Sequence, residues 1–244
     1  MASCILVHGA WHDARCWQLV TPLIEAAGHR VVALDLPGHG ASPLPPARST
    51  LKAYGECVGA AIDAAGEPVI LVGHSMAGMV ITTVAAAMPQ RIKHLVYLCA
   101  YLPRSGDSVF DLIARNRGHE PLAAIELALQ MSDDKRTCTI APDSIVPLFY
   151  SGTPSAHAEQ ARQRFGPQGS LPLAAKVDFD AAALAAVPRS YILCAQDRVI
   201  PSHHQRRMLA VDPACRVLEL ASVHSPFYSQ PQALAALLKA CSRP

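Results

Sequence analysis

The sequence predicts an α/β fold: a mainly parallel sheet of about six strands, helices on both faces and an inserted helical cap. Two observations carry this. Short runs rich in Val, Ile and Leu alternate with longer helical stretches, the order expected of parallel strands joined by crossover helices. The alternation then stops for nearly 90 of the 244 residues before it resumes, too long an interruption for a loop.

In chain order the strand-like runs are Cys4–Val7, Arg30–Leu34, Val69–Val72, His94–Cys99, Tyr191–Ala195 and Arg216–Leu220. They are continuously apolar rather than alternating, as expected of strands covered on both faces. Helical patterns lie between them, from Trp17 to Ala27 ended by Gly28, from Leu51 to Ala65 ended by Gly66, and from Met76 to Met88 ended by Pro89; glycine and proline are ordinary helix stops. Between Tyr101 and Pro188 the helical stretches are Val109–Arg115, Leu122–Met131 and Ala156–Phe165, separated by Pro121, Pro142, Pro147, Pro154 and Pro167. The expectation is one domain over 1–244, with a core of 1–100 and 189–244 and a helical cap of about 101–188. The alanines from Ala181 to Ala186, with Leu184, read as a close-packed helix, and no internal repeat is visible.

Apolar residues make up 51% of the chain and charged residues 16%, against a usual charged share of about 25%, which excludes global disorder. Lys and Arg number 21 against 19 Asp and Glu, for a net charge of +2, with no like-charged run beyond Arg206-Arg207. Neither a nucleic-acid footprint nor a membrane-surface patch is indicated. Mean hydropathy is positive, but the apolar blocks are short, whereas a spanning helix needs about 20 in a row. Met1 to His8 has no basic leader and runs straight into a strand, so a cytosolic protein without a signal peptide is expected. Eight cysteines are scattered without a CxxC and read as buried free thiols.

The strongest chemical signal is Val69-Ile70-Leu71-Val72-Gly73-His74-Ser75-Met76-Ala77-Gly78, a buried strand that ends in Gly-x-Ser and passes at once into a helix. This is a nucleophile elbow: the sharp turn pushes the Ser75 hydroxyl out at the carboxyl edge of the sheet, and small neighbours avoid a clash. Gly73 is small as required, and Ala77 stands where the usual pattern has a second glycine. A nucleophilic serine needs a base and the base an orienting acid, which follow the elbow along the chain in the order acid, then histidine. The strand Tyr191–Ala195 runs into Asp197, and the strand Arg216–Leu220 leads to His224. Of eleven histidines, His224 is the one in the last strand's exit loop; Asp178 and Asp180 are reserve acids.

The first strand's exit, His8-Gly9-Ala10-Trp11-His12, reaches the same edge. The backbone N–H groups of Ala10 and Met76 are the expected oxyanion donors, aided by the positive end of the helix that Met76 opens. Gly9 allows close backbone approach, and His8 is expected to shape the loop. No HExxH-like ligand spacing suggests a metal, and Gly38-His39-Gly40 lacks the dinucleotide glycine pattern, so no cofactor is expected.

These residues resemble the α/β-hydrolase superfamily, and within it the plant-type methylesterase and hydroxynitrile-lyase group with its bacterial esterase relatives. The resemblance rests on residues 6–12 (LVHGAWH), 23–31 (LIEAAGHRV), 33–36 (ALDL), 72–79 (VGHSMAGM) and 192–201, with Gln205-Arg206 beyond. It implies an α/β-hydrolase fold and hydrolysis of a small carboxylic ester through an acyl-enzyme on Ser75, with Asp197 and His224 completing a catalytic triad. The rival lyase chemistry of that group implies a lysine directly after the catalytic histidine and a threonine at the position of Gly9; here Ser225 and Gly9 stand instead. A non-catalytic ligand receptor of the same fold is the third reading. Gly9, Trp11, Phe110, Phe149 and Phe227 are candidate pocket residues, and a homodimer stays open.

Overall fold

The structure, a computed structural model, describes residues 2–115 and 124–241. The first half of the core comprises β1 (Ser3–Val7), α1 (Thr21–Glu25), β2 (Arg30–Leu34), α2 (Leu51–Ala65), β3 (Val69–His74), α3 (Ala77–Ala87) and β4 (Ile92–Leu98). After the inserted segment the core resumes with β8 (Arg189–Cys194), α10 (Ser202–Leu209), β9 (Arg216–Leu220), α11 (Pro226–Ser229) and α12 (Pro231–Cys241). The six core strands form one sheet in the order β2-β1-β3-β4-β8-β9, with every neighbouring pair parallel. All six strands lie where the apolar runs predicted them.

Burial is less uniform than predicted. β1 and β3 are buried throughout, but Val32 in β2 and Val217 in β9 are 39% and 45% exposed. These are the two edge strands, which have a neighbour on one side only.

The helices follow their local chemistry. The Thr50 side chain accepts from the Ala53 N–H at the start of α2, and Gly66 ends it at φ 73°, the left-handed region glycine enters freely. The single helix expected over Trp17–Ala27 is instead a short 3-10 turn at Ala14–Trp17 followed by α1. Pro22 lies at the start of α1 and has no N–H with which to continue a helix from before it.

The inserted segment departs most from expectation. It carries α4 (Val109–Ala114), α5 (Ala124–Ala128), β5 (Leu129–Met131), β6 (Thr137–Ile140), α6 (Pro142–Phe149), α7 (Ser155–Gln163), β7 (Gln168–Gly169), α8 (Ser170–Ala174) and α9 (Ala181–Ala185). It is therefore not wholly helical: β5, β6 and β7 form a small antiparallel sheet. The helix expected over Leu122–Met131 is described from Ala124 and gives way to strand at Leu129; its first two residues lie outside the described residues. Pro142 and Pro147, read as breaks, lie within α6: Pro142 opens the helix, where proline is tolerated, whereas Pro147 stands inside it and has no N–H to donate to the preceding turn.

All eight cysteines are free, seven of them buried. Among the described residues no helix is long and apolar enough to cross a membrane.

Candidate active site

Parallel strands deliver their carboxyl ends to one edge, and the candidate residues leave from there. Ser75 follows β3 with φ 55°, a left-handed conformation that costs a non-glycine residue about 1–3 kcal/mol and persists only where the surroundings enforce it. Its N–H donates to Leu98 O at 3.2 Å, and its carbonyl accepts from Gly78 N at 3.1 Å and Tyr101 N at 3.0 Å.

The glycines around it are not equivalent. A Cβ on Gly73 would meet Ile81 side-chain atoms from 2.7 Å, whereas one on Gly78 would lie 1.9 Å from the Tyr101 carbonyl oxygen. The strict requirement therefore falls on Gly78, one residue beyond the position that the elbow pattern singles out. A Cβ on Gly9 would stand 2.8 Å from both His74 Nδ1 and Ser75 Cβ, so the first strand's exit loop lies directly against the elbow.

Asp197 and His224 meet. His224 Nδ1–H donates to Asp197 Oδ2 at 2.7 Å, with both side chains fully buried. Asp197 also accepts from Val199 N at 2.7 Å and Ile200 N at 2.9 Å through Oδ1, and from Gln205 Nε2 at 3.2 Å through Oδ2. Gln205 is buried and also donates to Ile200 O and accepts from Cys194 N. It holds the acid's loop in place, a role that no simple sequence signal announced.

His224 Nε2 is buried without a hydrogen-bond partner. His74, adjoining Ser75, donates from Nε2 to His224 O at 2.9 Å, and the two rings lie 4.6 Å apart, which fastens the histidine loop to the elbow. No hydrogen bond joins Ser75 Oγ to His224 among the described residues; such bonds are often long in unliganded enzymes. Asp178 and Asp180 are elsewhere: the first accepts from Ser105 Oγ and the second from Ala182 N at the start of α9.

The exit loop is held by histidines. His8 donates from Nδ1 to Gly9 O at 2.8 Å and accepts from Leu36 N at 3.1 Å. Both nitrogens are thus used, and burial holds its pKa well below the ordinary histidine value. Among the described residues the N–H groups of Ala10 and Met76 donate to no acceptor.

Both residues line a mostly apolar cavity that also includes Ser75, Trp11, Tyr101, Phe110, Leu173 and Glu126. Trp11 and Phe110, two of the candidate pocket residues, are among its lining. Phe149 and Phe227 do not line it: Phe149 packs edge-on against His224 at 5.5 Å, and Phe227 is core, 4.9 Å from His74 and 5.2 Å from Trp17. Gly9 does not line it either, its backbone lying close against His74 and Ser75. Tyr101, Glu126 and Leu173 were not anticipated, because they come from the segment after β4 and from the cap, where no motif marks a wall.

A larger groove between α2, α3 and α8, lined by residues such as Gly55, Gly59 and Met88, contains no serine, cysteine or histidine. His74, Cys99 and His224 offer ligand atoms within 4.8 Å of one another. Burial pushes the Cys99 thiol up, and it donates to His224 O at 3.4 Å, so the group is already engaged in holding the histidine loop.

Comparison with known proteins agrees with this geometry. The model of the alpha/beta hydrolase family matches residues 4–237. Methylesterase 1 of Arabidopsis thaliana is 32% identical, with 94% of this chain and 92% of that protein covered. The alpha-hydroxynitrile lyase of the same plant is 30% identical over 94% and 93%. Among solved structures, a pyrethroid hydrolase from Sphingobium faniae JZ-2 superposes with a TM-score of 0.87 at 27% identity, covering 99% of this chain and 97% of that one. Polyneuridine aldehyde esterase gives 0.89 at 25% identity with full coverage of both. A parallel sheet with a strained serine at its carboxyl edge, matched in sequence almost from end to end, means that the chain belongs to the alpha/beta hydrolase family.

Proposed function

We propose that the protein is a serine esterase acting on a small-molecule carboxylic ester, with Ser75 as nucleophile, His224 as base, Asp197 as orienting acid and the Ala10 and Met76 N–H groups as oxyanion donors. The observation that supports the reading is the buried Asp197–His224 pair with an unpartnered Nε2, on a loop bonded to His74 next to a serine in left-handed backbone. Asp197 accepts the Nδ1 proton, which leaves the Nε2 lone pair as the base. The Ser75 hydroxyl attacks the ester carbonyl carbon while Nε2 takes its proton, and the two N–H groups receive the negative oxygen. The tetrahedral intermediate collapses, the C–O bond breaks, and the histidine returns the proton to the departing alcohol. Water, deprotonated by the same nitrogen, then releases the acid from Ser75.

The catalytic unit is taken as the single domain 1–244 with its cap at about 101–188, resident in the cytosol. The free cysteines accord with a reducing compartment. Relatives named methylesterases support methyl esters as the first substrates to try, and the mostly apolar cavity suits a compact apolar acyl group.

The test is a panel of p-nitrophenyl and methyl esters, with wild type beside Ser75→Ala. The wild type is expected to turn over at least one ester, and the variant to lose about three orders of magnitude or more in kcat. Equal, slow hydrolysis by both proteins would end the reading in favour of a receptor. Mandelonitrile in the same assay is expected to yield no enzymatic cyanide, since Ser225 follows His224; cyanide release without acid formation would favour the lyase.

A further inference from the structure

The exit loop of β1 is gripped by the cap at three points. Trp11 Nε1 donates to Cys138 O in β6 at 3.1 Å, Gly166 N donates to Trp11 O at 3.0 Å, and the Tyr150 hydroxyl, just after α6, meets His12 Nε2 at 2.9 Å. Trp11 itself stands at φ 63°, backbone that a bulky residue holds only under constraint.

His12 is buried, and its other nitrogen, Nδ1, lies 2.8 Å from Ala10 O. A carbonyl can only accept, so Nδ1 carries the proton, and Nε2 accepts from the tyrosine. Burial lowers the His12 pKa to about 4 and raises that of the Tyr150 phenol well above its ordinary value, so both groups stay in these forms near neutral pH.

The consequence lies at Ala10. Its N–H belongs to the peptide whose carbonyl is Gly9 O, held by His8 Nδ1; in a trans peptide the two point opposite ways. Its own carbonyl belongs to the next peptide, held by His12. Both peptides flanking Ala10 are therefore pinned by imidazoles, one from the core loop and one set by the cap.

We infer that Tyr150 and His12 are positioning residues: the cap tyrosine holds the His12 ring through Nε2, the ring's Nδ1–H holds the Ala10 carbonyl, and together they aim the Ala10 N–H at the developing oxyanion. The cap thus acts on the chemical step as well as covering the cavity. This rests on the esterase reading above.

The experiment measures kcat and KM for the best ester of the panel, affinity for a boronic acid that forms a tetrahedral adduct on Ser75, and the thermal midpoint. The variants are Tyr150→Phe, His12→Leu and His12→Asn. Loss of an oxyanion donor outright costs 10²–10³ in kcat, so misaiming one is expected to cost about tenfold in Tyr150→Phe and about a hundredfold in His12→Leu. KM should stay near the wild-type value, and boronic acid affinity should fall in step with kcat. His12→Asn, whose carboxamide N–H can replace Nδ1–H as donor, should recover most of the loss.

Wild-type kcat in Tyr150→Phe would overturn the inference, as would an asparagine variant no better than the leucine one. A loss shared by kcat and substrate binding together with a lowered thermal midpoint would also overturn it, since that is a merely structural role. Tyr150→Phe keeps the ring among Phe149, Phe165 and Tyr228 and decides the matter even if His12→Leu fails to fold. Failure of the esterase reading itself looks different: Ser75→Ala would then equal wild type.

Discussion

Ser75 stands in strained backbone with two closely packed glycines nearby, Gly9 and Gly78, and each makes a separate prediction. A methyl group on Gly78 would collide with the Tyr101 carbonyl, and Tyr101 N in turn bonds to Ser75 O, so the collision is transmitted to the serine. Gly78→Ala is expected to cost about 1–3 kcal/mol of stability and to lower kcat, as denaturant titration and ester assay will show. Gly9→Thr places a side chain against Ser75 Cβ. Displacements of this kind of about 1 Å can cost about a hundredfold. The variant should therefore lose esterase activity without releasing cyanide from mandelonitrile, and a gain of lyase activity would contradict the steric account. The positions of the candidate serine, acid and histidine were legible because each stands beyond a strand end with a residue-type signature. Gln205, which braces the acid's loop, had no such signature beyond lying in a stretch shared with relatives.

At the scale of elements, the central core strands were legible from continuous apolar runs, since a strand buried on both faces writes its length directly into composition, and the half-exposed edge strands β2 and β9 from their Val and Leu content. The cap was not. Its strands are two to four residues long, too short for a period-2 pattern, and they exist because they pair with one another and seat on the core. Gly169 in β7 shows the seating: a Cβ there would lie 2.3 Å from Pro46 O and 2.3 Å from Ser49 Oγ. Gly169→Ala should lift β7 from the 46–49 turn, costing about 1–3 kcal/mol. Because the cap also grips Trp11, kcat is expected to fall with it; a thermal melt and ester kinetics on the same sample test both. Unchanged values in each would mean that the cap does not depend on this contact.

For the molecule as a whole, the buried histidines set an acid limit. His12 and His39 are lowered to about 4 and His8 and His74 well below the ordinary value, in each case chiefly by burial. A histidine whose pKa is depressed in the folded state binds its proton more readily when unfolded, so its stabilisation is complete above about 6.5 and is lost as pH falls towards the folded-state value. Each such group contributes a slope of up to about 1.4 kcal/mol per pH unit in that window. Unfolding free energy from urea titration should therefore drop steeply between pH 6.5 and 4 and change little between 7 and 8; a flat profile through the acidic range would show that these rings titrate freely.

The sequence by itself determined the sheet, its parallel sense and the order of serine, acid and histidine, because burial on two faces and a strand-to-helix turn are local demands that residue types must meet one by one. Only the tertiary structure decided which glycine is indispensable, that two of the aromatic candidates are packing rather than wall, and that a cap tyrosine reaches the loop beside the serine. Those are contacts between segments as distant in the chain as Trp17 and Phe227, and a contact between distant segments leaves no period or spacing in either of them.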